Sequence, residues 1–211
     1  MPLPRVEAAN ALPLLTFTSQ FLPTSLPSLQ FEHAQTLASY HITLESSSTL
    51  TSTDFTACFG LIATTSASAY SGSSIGWSPA KKRKEMRLPD LRYLIVKSGA
   101  STAADKVEAF LSFMITYEDG HEVVYCYEIH LSGDLQGCGL GRHLMGIMEE
   151  LGRKVGVEKA MLTVFLENEG ALRFYERLGY VEDEYSPRPR KLRNGVVKKP
   201  DYIILSKQLE R

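Results

Sequence analysis

Apolar positions recur along the chain with two different periods, and the changes between them mark out its elements. Residues 40–44 alternate weakly and read as a strand. Residues 54–70 read as a helix, introduced by the cap candidate Thr53 and broken at Ser71-Gly72-Ser73-Ser74. Ser78-Pro79 opens another, because serine caps and proline suits a first turn, and Pro89 closes it. Residues 91–96 and 107–116 then read as strands. Glu118-Asp119-Gly120-His121 makes a hairpin turn into the apolar run 123–131, which completes a three-strand meander.

The second half changes period. Leu140, Leu144, Ile147, Met148, Leu151 and Val155 recur at helical spacing, and Gly156 stands where a C-terminal cap belongs. The continuous apolar run 160–166 has strand length and reads as a parallel strand covered on both faces. Asn168 can cap a second helix ending near Leu178-Gly179. Residues 180–181 and 202–205 finish the sheet around a polar excursion, 186–199. Pro2, Pro4, Pro13, Pro23 and Pro27 forbid a long helix in residues 1–30, which read as an arm lying on a domain of residues 31–211. There is no internal repeat.

Composition narrows this picture only a little. A chain of 211 residues, 44% hydrophobic, can bury a full core in one domain. A net charge of -1 predicts no phosphate-seeking surface overall, and no direct nucleic-acid partner is expected. Cys58, Cys126 and Cys138 have no metal-ligand spacing, so no metal is expected, and their odd number suits a reducing compartment. No run approaches the roughly 18 apolar residues of a membrane span, and no basic and apolar leader opens the chain. The expectation is a soluble intracellular protein with no membrane partner.

Between the run 123–131 and the helix stand Gln136-Gly137-Cys138-Gly139-Leu140-Gly141. Free backbone N–H groups and the positive end of the dipole make a helix start an anion site, and glycines admit a diphosphate closely. A dinucleotide fingerprint fails here: counted from Gly137 its third glycine is Arg142, and counted from Gly139 it is Leu144. A P-loop fails too, since Arg142 and His143 follow Gly141. As Gln-x-x-Gly-x-Gly followed by Arg142, the loop resembles the acyl-CoA pyrophosphate loop of the GNAT acetyltransferases. That resemblance implies an α/β (α+β) fold with a mixed central sheet, a splayed parallel pair and flanking helices. It also implies acetyl-CoA as cofactor. Ile129, His130 and Leu131, the loop Gln136, Gly137, Cys138, Gly139, Leu140, Gly141 and Arg142, then Asn168 and Tyr175, would hold it.

The densest chemistry is Tyr125-Cys126-Tyr127-Glu128. A carboxylate in an apolar strand is costly unless solvated, paired or used, and a strand-end glutamate held by a tyrosine is the plain alternative. With Ile75-Gly76-Trp77 upstream, Leu162-Thr163-Val164-Phe165 and Tyr202-x-Ile-Leu-Ser downstream, the block resembles the NatD-type N-alpha-acetyltransferases. These acetylate the amino-terminal serine of histone tails beginning Ser-Gly-Arg-Gly. The resemblance covers roughly residues 65–207. It implies a monomer without auxiliary subunit, in cytoplasm and nucleus, with a histone-like amino-terminal peptide as substrate. Carried over by position, Tyr70, Trp77, Tyr125, Tyr127, Glu128 and Tyr202 bind the peptide. One position departs: where the family has an Asp for the substrate arginine, this chain has Thr116, and Glu118, Asp119 or Glu122 could supply the charge.

An α-amine, with a pKa of about 7.7 to 8.0, needs only a weak base. Glu128 is the candidate base, its proton affinity raised by the rings of Tyr125 and Tyr127, whose hydroxyls position the amine or a relay water. From the wider superfamily, Tyr175 is the candidate acid for the departing thiolate. Strict alternation sends Tyr125 and Tyr127 to one face of the strand and Glu128 to the other, so a bulge is required, and it would also splay this strand from 160–166. Other residues have simpler readings. Lys81 to Lys84 read as a solvated helix face, Tyr175 equally as a packed aromatic, and Asn168 as a helix cap. His130, His143 and Cys138 are given no catalytic part. Two rivals stand: a GNAT enzyme for lysine side chains or small amines, and a catalytically silent acyl-CoA or peptide-binding module.

Overall fold

The computed structural model describes residues 4–22, 29–98, 106–191, 193–195 and 197–210. Helices α1 (Arg5–Asn10) and α2 (Leu14–Phe21) each begin directly after a proline, Pro4 and Pro13 taking the N-cap position. A missing N–H costs nothing there, so these prolines start short helices in the expected arm. Pro2, Pro23 and Pro27 lie outside the described residues. The arm is part of the core: Val6, Ala9, Phe17 and Leu22 are buried in the main cluster. It is pinned by the buried Arg92, which donates to Asn10 Oδ1 at 2.9 Å and Ala9 O at 3.3 Å and lies 3.9 Å from the centre of the Phe17 ring.

Among the described residues, one sheet of eight strands organises the rest. Strand β1 (Gln30–Glu32), which alternation did not reveal, pairs antiparallel with β2 (Ser39–Ser46). Then follow β3 (Arg92–Ser98), β4 (Val107–Glu118) and β5 (His121–Leu131), the expected meander, all antiparallel. Asp119 and Gly120 both have positive φ, 49° and 87°, which matches the twist of a two-residue hairpin. Strand β6 (Lys159–Phe165) runs parallel to β5; β10 (Tyr202–Gln208) and the short β7 (Val181–Glu182) close the far edge. Within the polar excursion, β8 (Arg190–Lys191) and β9 (Val197–Lys198) form a separate ribbon. Residues 192 and 196 of that excursion lie outside the described residues.

Two apolar layers cover this sheet. On one face α5 (Leu140–Val155) buries Leu140, Leu144, Ile147, Met148 and Leu151 together with the arm and Tyr175 of α6 (Glu169–Arg177), and Gly156 ends α5 at a φ of 88°. On the other, α3 (Ser52–Gly72) buries Phe55, Cys58 and Ile62 beside α4 (Pro79–Glu85). The cap of α3 is Thr51, not Thr53: its hydroxyl accepts from Asp54 N at 3.1 Å, so the helix starts two residues earlier than expected.

The required bulge is present. In the β4–β5 ladder Ser112 faces Glu128 and Phe113 faces Cys126, which leaves Tyr127 as the extra residue. Before it, Val124 and Cys126 pack in the α5 layer; after it, Ile129 and Leu131 do. Tyr127 and Glu128 can therefore both turn to the α3 side. The parallel pairing of β5 with β6 spans Val123 to Cys126 and stops at the same residue.

Candidate active site

Beyond Cys126 the two parallel strands share no further ladder, and the gap opens into a cavity of about 680 Å3. Its walls collect Tyr70, Tyr127, Glu128, Ile129, His130 and Leu131. At its other end stand Gln136, Gly137, Gly139, Gly141, Arg142, Asn168 and Tyr175. The expected residues thus come largely together. Five sit one layer back. Leu140 is buried in the core, and Cys138 Sγ donates to Leu135 O at 3.0 Å, so it serves the turn. Trp77 packs 5.7 Å from Tyr70, and Tyr202 lies opposite the lining residue Phe165 in the β10–β6 ladder. Tyr125 shares a 2.6 Å hydrogen bond with lining Thr163 and meets the ring of Tyr127 edge-on at 5.6 Å.

The glycine-loop end has the properties of a diphosphate site. No side chain caps the first turn of α5, so its N–H groups and dipole face the opening. Gly137 and Gly139 have φ of 75° and 96°, and a Cβ on either would point into open space. Backbone shape, not lack of room, requires glycine there, and the bare surface lets a ligand reach the amides. These residues fit acetyl-CoA, with Asn168 fixing the neighbouring helix by accepting from Ala171 N at 3.1 Å. Tyr175 is 7% exposed. Burial first, then Cys126 and Glu128, hold its phenol well above 10, which makes it a hydrogen-bond donor to a thiolate more than a full proton donor.

At the other end the electrostatics differ from expectation. Glu128 was expected to be desolvated by Tyr125 and Tyr127 and raised in proton affinity. Its Oε1 instead accepts from Tyr70 OH at 2.8 Å and Lys82 Nζ at 2.7 Å, and its Oε2 meets His130 Nε2 at 2.6 Å. Burial pushes this carboxyl up, but the hydrogen bonds and charge of His130 and Lys82 outweigh it and hold it at about 2. Lys82 is correspondingly no part of a solvated face. It is 7% exposed, and although burial works to lower its pKa, Glu128 and Tyr70 raise it above the ordinary lysine value. Sequence reasoning missed Lys82 because its partner lies 46 residues away, on β5. His130 did carry a signal, since it stands two residues after Glu128 on one face of a strand.

A sequence model of the acetyltransferase (GNAT) family matches residues 63–180, which span both ends of this cavity. N-alpha-acetyltransferase 40 of Saccharomyces cerevisiae is 36% identical over 38% of this chain and 35% of its own length, so the chain spans about a third of that relative. Among solved structures, Arabidopsis thaliana NAA60 in complex with a bisubstrate analogue superposes with a TM-score of 0.57 at 13% identity, over 79% of this chain and 97% of that one. PaiA N-acetyltransferase of Thermoplasma acidophilum, in complex with coenzyme A, gives 0.56 at 17% identity over 80% and 98%. These two likenesses concern the fold. With the glycine loop on an uncapped helix, the splayed pair and the family match over more than half its length, the chain belongs to the GNAT acetyltransferase family, whose acyl donor is acetyl-CoA.

Proposed function

We propose that this enzyme is an N-alpha-acetyltransferase for the free terminal serine of histone-like tails beginning Ser-Gly-Arg-Gly, acting in cytoplasm and nucleus as a monomer. The observation that carries the reading is the bulge at Tyr127, which sets Tyr127 and Glu128 in the wall of one cavity at the mouth of the splayed strands, with Tyr125 bonded to its lining residue Thr163. The partial likeness to yeast N-alpha-acetyltransferase 40 supports it.

Bound acetyl-CoA supplies an activated thioester acyl group. The chain's own residues supply the rest. Amides of the Gln136–Arg142 loop hold the diphosphate, Asn168 and Tyr175 line the cofactor's path, and Tyr70 and Tyr127 wall the peptide, backed by Trp77, Tyr125 and Tyr202. Tyr175 offers its proton in a hydrogen bond to the departing sulfur. For the substrate arginine, Glu118 takes the part that Thr116 cannot. Its charge is felt by both Tyr125 and Tyr127, whereas Glu122 is drawn to Arg5 at 2.9 Å.

Incubation with acetyl-CoA and peptides beginning Ser-Gly-Arg-Gly, read by mass spectrometry, tests this. Acetyl on the terminus alone is expected. Equal labelling of internal lysines in a terminally blocked peptide would point to the lysine-directed enzyme instead.

A further inference from the structure

We propose that Lys82 and His130 are positioning residues which clamp the two oxygens of Glu128, so that Glu128 orients the substrate amine as a fixed anion while water takes the amine proton. Glu128 has this use only if the cavity receives an amine, as in the acetyltransferase reading above.

A carboxylate accepts at about four positions, two on each oxygen. Lys82 and Tyr70 fill both positions on Oε1, and His130 takes one on Oε2. One acceptor position is left, enough to hold an N–H of the substrate. Thr65 Oγ1, which donates to Leu61 O at 2.8 Å, also meets His130 Nδ1 at 2.5 Å. With Nε2 on Glu128, the imidazole is held at both ring nitrogens and cannot turn away from the carboxylate.

Every charge around the group works in the same sense or is spent. From α4, Glu85 is bound to Lys82 at 2.6 Å, not to Glu128. From α3, Tyr70 is a phenol raised by its burial and by Glu128, so it stays a donor. Tyr93 of β3, Cys126 of β5 and Tyr175 of α6 also feel Glu128, and burial keeps all three protonated. Opposite on β4 stands Ser112, which is uncharged. Glu128, held at about 2, is a weak proton acceptor at neutral pH. An α-amine with a pKa of about 7.7 to 8.0 is already partly free there, and needs orientation more than a strong base.

The test reads Glu128 directly. In full-length protein labelled with 13C at glutamate carboxyls, without substrate, the resonance lost in Glu128→Gln should stay ionised from neutral pH down to about 4. Lys82→Met should move its titration upward by about one pH unit or more and Lys82→Arg should restore it; His130→Gln is the second variant should Lys82→Met not fold. With the Ser-Gly-Arg-Gly peptide, Glu128→Gln should raise KM by about tenfold or more and leave the acid limb of kcat/KM in place. A wild-type Glu128 titrating between about pH 5 and 7, or loss of the acid limb in Glu128→Gln, would overturn the clamp. Failure to acetylate any terminus would sink the functional reading alone, since the carboxyl titration is measured without substrate.

Discussion

Exchanging Glu128 for Gln keeps the shape of the side chain and removes the anion between Lys82 and His130. In the folded protein this carboxyl is held at about 2 against an ordinary 4.5. Its folded pKa is depressed, so its contribution to stability is complete above about pH 4.5 and is lost as pH falls through 2. With each pH unit of displacement worth about 1.4 kcal/mol, the contribution at neutral pH is about 3 kcal/mol. That agrees with the roughly 3–5 kcal/mol expected when one partner of a buried ion pair is removed. By pH 3 about 2 kcal/mol of it should be gone. Urea denaturation gives the assay, because Trp77, the sole tryptophan, packs 5.7 Å from Tyr70 and reports on this corner of the fold. Plotted against pH, the difference in stability between wild type and Glu128→Gln cancels the titrating groups that do not touch Glu128. It should fall from about 3 kcal/mol at pH 7 to about 1 kcal/mol at pH 3. A difference that is flat across that range would refute the reasoning, whatever its size.

Other changes test other parts. Gly139→Val puts a branched side chain where φ is 96°, and calorimetry should find CoA binding weakened by about tenfold or more with the circular dichroism spectrum unchanged. Gly152→Ala improves helix propensity yet should lower stability in urea by about 1–3 kcal/mol, because its Cβ would meet Leu209 Cδ1 at 2.7 Å and Val124 Cγ1 at 2.8 Å. Asp183→Asn leaves the buried Lys159, now 2.7 Å from its carboxylate, without an anion, and the melting temperature should fall by an amount equivalent to about 3–5 kcal/mol. Thr51→Ala should cost about 1 kcal/mol, and Thr53→Ala much less, by the same denaturation assay.

What could be read from the chain was whatever rests on local periods. The six apolar residues of α5 and the glycine after them predict that helix to within a residue. The bulge was legible for a less direct reason, since three residues cannot share a face of an unbroken strand. Its second effect, ending the parallel ladder, followed from the same extra residue. Illegible were features made by tertiary packing. Lys82 looks identical to its solvated neighbours until α4 is laid against the sheet. The low proton affinity of Glu128 owes most to His130 and then to that same approach of Lys82. Thr51 and Thr53 are equally good caps in sequence, and only the length of α3 chooses between them. Prolines mislead when taken solely as breakers, as Pro4 and Pro13 begin helices.

The arm has a consequence for the order in which the chain can fold. Asn10 donates to Ile115 O, 105 residues later, and Leu22 O accepts from Lys154, 132 residues later. At synthesis rates of about 5–20 residues per second, these two helices wait roughly 5–26 s for their partners to be made. Through that interval Val6, Phe17 and Leu22 have no core to enter. The arm, made well before its partners, is thus among the last segments to be placed, and a nascent chain halted near β4 would present the arm's apolar residues to whatever binds exposed hydrophobic segments.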